Sequence, residues 1–132
     1  MKKIRYALIL AIIALIVVSC DDEIFGPRSL EGTWRVTEDS EAFGRQTFMV
    51  GIGYFPGDSS RILIGNFSNL DVGVEVVANV QGLLLTIPQQ SVQSRGGSFR
   101  VSGSGTATSN LRRINWDYRI DGTNYTAVFD KQ

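Results

Sequence analysis

From Leu30 to the C-terminus, apolar and polar residues alternate with a period of two. Leu30, Gly32, Trp34 and Val36 alternate with Glu31, Thr33, Arg35 and Thr37, which sets one face of a strand against a core and the other in water. Phe48, Val50, Ile52 and Tyr54 predict a second strand, and Arg61 to Gly65 a shorter third. Between these two, Pro56-Gly57-Asp58-Ser59 reads as a turn, because proline presets φ and glycine accepts a positive φ. Val72, Val74, Val76, Ala78 and Val80 predict the inward face of a fourth strand, and Leu83, Leu85 and Ile87 that of a fifth ending at Pro88. In the sixth, Phe99, Val101, Gly103, Gly105 and Ala107 lie opposite Arg100, Ser102, Ser104, Thr106 and Thr108. The seventh sets Ile114, Trp116, Tyr118 and Ile120 against Arg113, Asn115, Asp117 and Arg119, and Tyr125, Ala127 and Phe129 mark the eighth. Asp121-Gly122 between the last two favours the type I′ turn of a tight hairpin, with Ile120 opposite Thr123 and Tyr118 opposite Tyr125.

No stretch sustains a helical period, although residues 66–72 could hold one helical turn. Strands spaced by roughly 8–15 residues and joined by turns define an all-β domain. The expected architecture over residues 30–132 is a small eight-stranded antiparallel up-and-down barrel, since closure removes the exposed edges that invite aggregation. Gly103 and Gly105 either remove bulk from the interior or mark a bend at a barrel corner. The bend is the reading favoured by sequence.

The first nineteen residues have a different grammar. Lys2, Lys3 and Arg5 precede twelve uninterrupted apolar residues, Ala7 to Val18. A membrane-spanning helix needs about 20, so the layout is that of a secretory signal. Val17-Val18-Ser19-Cys20 closes it and resembles a bacterial lipobox. That resemblance implies that the Cys20 thiol takes a diacylglyceryl group, that residues 1–19 are removed as a signal peptide, and that the membrane is a partner through the lipid. It places the protein in the cell envelope, at the outer membrane or the cell surface. Residues 20–29 lack periodicity and read as a lipidated, flexible tether. The acidic run Asp21-Asp22-Glu23 is either a solvated charge cluster or a sorting address.

Charge and composition narrow the function. Thirteen basic residues less the three in the leader leave ten against thirteen acidic, a net of −3. A nucleic-acid binder needs a basic stripe to neutralise phosphates, so that partner is not expected. The chain has no histidine, and its single cysteine is committed to the lipid. Imidazole bases, thiol nucleophiles, disulfides and zinc sites built on these groups are thereby excluded. Gly51-Ile52-Gly53 and Gly103-Ser104-Gly105 do not open helices and are not phosphate loops. Glu38/Asp39 and Asp117/Asp121 are acid pairs of the kind used in glycoside hydrolysis. Asp117 and Asp121, however, are expected on the wet face of one strand, where solvation keeps both ionised. Neither an enzyme nor a bound cofactor or metal is expected.

Gly32-Thr33-Trp34 matches the Gly-x-Trp signature of lipocalins and related calycins. Asn66-Phe67, Ile87-Pro88-Gln89-Gln90 and Gly103-Ser104-Gly105 follow in an order similar to that of small lipocalin-like bacterial surface lipoproteins. The resemblance implies that Trp34 packs across the closed end of the barrel. Inward aromatic positions Trp34, Phe48, Tyr54, Phe99, Trp116 and Tyr118 are the candidates for filling the interior or lining a ligand cavity. The expected function is a non-enzymatic envelope module that binds a small apolar ligand, a glycan or a surface protein. The alternative is a structural factor docking on an outer-membrane complex. A cavity of several hundred cubic ångströms favours the ligand, and a filled barrel with a broad apolar patch favours the partner.

Replacement of Cys20 by alanine is expected to leave the leader attached and to abolish incorporation of a palmitate analogue. Each buried methylene contributes about 0.8 kcal/mol to anchoring, so one acyl chain binds marginally and several hold firmly. Normal labelling of Cys20→Ala would rule out the lipobox.

Overall fold

In the computed structural model, which describes residues 29–132, the alternating segments pair edge to edge in chain order. The strands are β1 (Gly32–Ser40), β2 (Gly44–Phe55), β3 (Asp58–Gly65), β4 (Glu75–Gln81), β5 (Leu84–Ser94), β6 (Gly97–Ala107), β7 (Arg113–Ile120) and β8 (Thr123–Lys131). Every neighbouring pair is antiparallel, and β1 pairs with both β2 and β8, so the sheet is a closed up-and-down barrel with no free edge. The leader, Cys20 and all of the tether except Ser29 lie outside the described residues.

Parity decides what is inside. Along β7 every second residue, Ile114, Trp116, Tyr118 and Ile120, is buried and every other one is exposed. Trp34, Val36, Ile62, Ile64, Val76, Leu85, Ile87 and Phe129 join them in one core. The β7–β8 hairpin has Asp121 and Gly122 at positive φ, 50° and 84°. Its register sets Ile120 opposite Thr123 and Tyr118 opposite Tyr125, as the Asp-Gly turn dictates.

The end of the barrel where β1 begins and β8 ends is shut. Trp34 is fully buried there, and its indole Nε1 donates to the carbonyl of Leu30 at 2.9 Å. Lys131 lies over the indole ring at 5.8 Å and donates to the Ser29 carbonyl. Tyr54, half-buried, accepts the Leu30 amide on its hydroxyl.

Three expectations are corrected. Val72 is 86% exposed and Leu83 lies in the β4–β5 turn, also exposed. Both sit outside the strands they were assigned to, because a turn residue can fall in phase with a strand without belonging to it. β5 does not end at Pro88 but runs on to Ser94. A register shift between Ile87 and Gln90 bulges the strand where proline has no N–H to offer. The Gln90 side-chain amide then bonds both the N–H (3.0 Å) and the carbonyl (2.9 Å) of Val77, replacing the backbone ladder with β4.

The register shift of β5 against β6 falls at the step from Gly103 to Val101, so a local bulge adjoins Gly103, but Gly103 and Gly105 have a second role. The β6–β7 register passes through both without a shift, and neither has a positive φ. They make room. A Cβ at Gly103 would stand 2.5 Å from Tyr118 Cβ and 2.6 Å from the Asp117 carbonyl, and one at Gly105 would stand 2.6 Å from Trp116 Cε3. Each glycine is the cross-strand partner of the aromatic residue it accommodates.

Gly103→Ala is therefore expected to destabilise the barrel by about 1–3 kcal/mol through overpacking. Gly53→Ala, where a Cβ meets nothing within 4 Å, serves as the control and should stay within about 0.5 kcal/mol. Urea unfolding midpoints of the two variants measure the difference.

Candidate functional site

The strand directions gather four connections at the end opposite that where β1 begins and β8 ends. These are the turns between β1 and β2, β5 and β6, and β7 and β8, and the longer segment 66–74 between β3 and β4. That segment holds one 3-10 turn, Phe67–Asn69, where a helical turn was expected. Asn66, Ser68 and Asn69 have φ values of 57°, 52° and 56°. Left-handed conformations suit asparagine better than serine. They fold the segment back into the barrel, so that Phe67 and Ser68 are buried. Phe67 packs on Tyr118 with ring centroids 4.7 Å apart.

Above this plug a pocket of about 410 Å³ opens to solvent. Phe43, Leu70, Phe99, Ile120 and Tyr125 supply its apolar walls, Glu38, Gln46 and Ser68 its polar floor, and Asp121 part of its rim. Phe43 stacks on Tyr125 at 6.4 Å, and Tyr125 on Tyr118 at 5.7 Å.

Glu38 organises the floor. It lies two residues beyond Val36 on the inward parity of β1 and is only 1% exposed. Its Oε2 accepts hydrogen bonds from Ser68 Oγ at 2.7 Å and from the Tyr118 hydroxyl, and its Oε1 accepts one from Gln46 Nε2 at 2.7 Å. Hydrogen bonds to charged groups contribute about 1.5–3 kcal/mol, and a buried carboxylate persists only with such partners. Burial, then the adjacent Glu38 carboxylate, push the Tyr118 phenol far above the usual tyrosine range. Tyr125 is raised in the same sense, first by burial and then by Glu38 and Asp121. Both shifts favour the protonated phenol, which suits Tyr118 as a donor to Glu38.

The sequence candidates divide between the two ends. Of the six inward aromatics, Phe99 alone lines the pocket. Trp34, Phe48, Trp116 and Tyr118 are buried, with Tyr118 in contact with the floor through Glu38, and Tyr54 packs at the closed end. Glu38 and Asp39 do not form an acid pair. Glu38 points inward, whereas Asp39 points outward and pairs with Arg45 at 2.8 Å. Asp121 is on no strand face but in the turn, where its Oδ1 accepts the Arg100 amide at 2.8 Å. Among the described residues no three His, Cys, Asp or Glu side chains gather at one point.

Among the solved structures similar to this chain are designed proteins. A redesigned β-barrel bound to DFHBI aligns with a TM-score of 0.56 and 22% identity, over 77% of this chain and 94% of that one. A second redesigned β-barrel aligns with a TM-score of 0.54 and 20% identity, over 78% and 91% of the two chains. A de novo fluorescence-activating β-barrel gives 0.53 and 23%, over 77% and 93%. Identities this low establish a shared fold. No protein-family model and no curated protein matches the sequence.

Tyr118 titrates near 10.0 in the unfolded chain and higher in the folded one. Below pH 10 its contribution is fully present. Above that, the unfolded chain releases a proton that the barrel retains, so stability falls by up to about 1.4 kcal/mol per pH unit from this group. Tyr118→Phe should lower stability at neutral pH by about 1.5–3 kcal/mol. It should also flatten the alkaline decline relative to the parent protein, measured as unfolding midpoints on either side of pH 10.

Proposed function

We propose that the chain is a non-enzymatic, lipocalin-like lipoprotein of the bacterial cell envelope, held at the outer membrane through Cys20, whose barrel binds a small, largely apolar ligand at its open end. The observation that carries the reading is the pocket of about 410 Å³. Small-molecule sites span about 300–1,000 Å³ and combine apolar walls with a few convergent polar groups. Phe43, Leu70, Phe99, Ile120 and Tyr125 are such walls, and Glu38, Gln46 and Ser68 converge beneath them. A redesigned barrel of the same fold is bound to DFHBI. The docking alternative has less support. Among the described residues the exposed large apolar side chains are scattered over the open end (Phe43, Val72), the outer face of β2 (Met49) and the opposite end (Leu83, Leu84).

Binding is tested with 1-octanol as a neutral apolar probe. Titration of the intact protein should shift the amide resonances of Leu70, Phe99, Thr123 and Tyr125 in a saturable manner. Thr123→Trp, which places an indole in the mouth, should abolish the shifts. Unchanged resonances in the parent protein throughout the titration would refute ligand binding in this pocket.

A further inference from the structure

The pocket is electrically one-sided. Its two charged lining residues are Glu38 and Asp121, and neither lysine nor arginine lines it. The ion pairs among the described residues lie elsewhere: Arg45 with Asp39, Arg61 with Asp58, Arg95 with Asp71 and Arg113 with Asp130. Glu38 is the most deeply buried acid of the pocket, yet its partners Ser68, Gln46 and Tyr118 are all neutral donors. A buried carboxylate in apolar surroundings gains most from a counter-charge that shares its low-dielectric site. The described residues supply none.

We propose that the ligand is an organic cation, an amine or quaternary ammonium on an apolar body, with its positive head drawn toward Glu38. This rests on the pocket-binding reading above and specifies the ligand's chemistry. Three observations converge on it. Phe43, Phe99 and Tyr125 present aromatic rings around the mouth, and ring faces attract cations, including quaternary ammonium groups that donate no hydrogen bond. A carboxylate offers roughly four acceptor sites, of which three are occupied in Glu38, which leaves room for an ammonium donor. Gln46, the partner on Oε1, is itself exposed, so its amide can yield to a charged donor without disturbing the core. Asp121 spends its Oδ1 on the Arg100 amide and keeps Oδ2 at the rim. An anionic ligand would meet like charge at both rim and floor, and the pocket selects against it.

The test compares octyltrimethylammonium, 1-octanol and octyl sulfate, each titrated at low ionic strength into the intact protein and followed through the same amide resonances. The ammonium should bind tighter than octanol by about tenfold, and the sulfate weaker than either. Glu38→Gln and Asp121→Asn remove charge with little change in shape, and each should narrow the ratio of ammonium to octanol affinity. Should Glu38→Gln unfold the barrel, the parent protein's ranking and Asp121→Asn still decide. Octanol binding with no advantage for the ammonium overturns the cation inference and leaves the pocket reading standing. An ammonium advantage that survives in both folded variants also overturns it. Failure of all three probes to bind removes both.

Discussion

β1 is hydrogen-bonded along both edges, to β2 from Gly32 to Ser40 and to β8 from Trp34 to Ser40. A strand held on two sides cannot slip by one residue, because a slip would turn every inward side chain outward. Trp34 and Val36 must be buried, so the next position of the same parity must be as well, and that position is Glu38. Barrel closure thus forces a carboxylate into the interior. Gln46 on β2, Tyr118 on β7 and Ser68 on the folded-back segment are arranged about that single group.

The interior divides along the barrel axis. Toward the end where β1 begins and β8 ends it is a packed apolar core, with Trp116 against Phe129 at 5.7 Å and Trp34 bonded to the segment before β1 at Leu30. Toward the four-turn end it becomes polar and then open. A carboxylate with three donors is costly to assemble unless each geometry is held by its own element. Here the donors come from separate parts of the chain, so the site is specified by tertiary closure rather than by any local segment.

Most of the barrel was legible because period-two alternation is a direct image of a strand with one buried face, as in Ile114 to Ile120. Misreadings came where hydrophobicity and strand membership part company. Val72 and Leu83 are apolar turn residues, whereas Gln89 to Ser94 belong to β5 with little more than Val92 buried to signal it. Glu38 was legible by parity, two residues beyond Val36, but a charge beside Asp39 reads as surface. Ser68 carried no signal, since its inward position comes from the left-handed backbone of its own loop. The role of Gly103 and Gly105 could be read only with β7 laid beside β6, because the space they leave belongs to another strand's rings.

The side-chain splice at Gln90 makes the wall uneven. β4 and β5 share three residue pairs, whereas β7 and β8 share eight. Beyond Asn79 and Thr86 the β4–β5 seam is continued by one rotatable amide on Val77. A backbone ladder opens only by displacing a strand, but a side-chain latch opens by turning about its own bonds. The cylinder is therefore less continuously laddered on that flank than along the β6–β7–β8 wall, and local opening is expected there first. Any widening of the barrel would be taken up first along that flank.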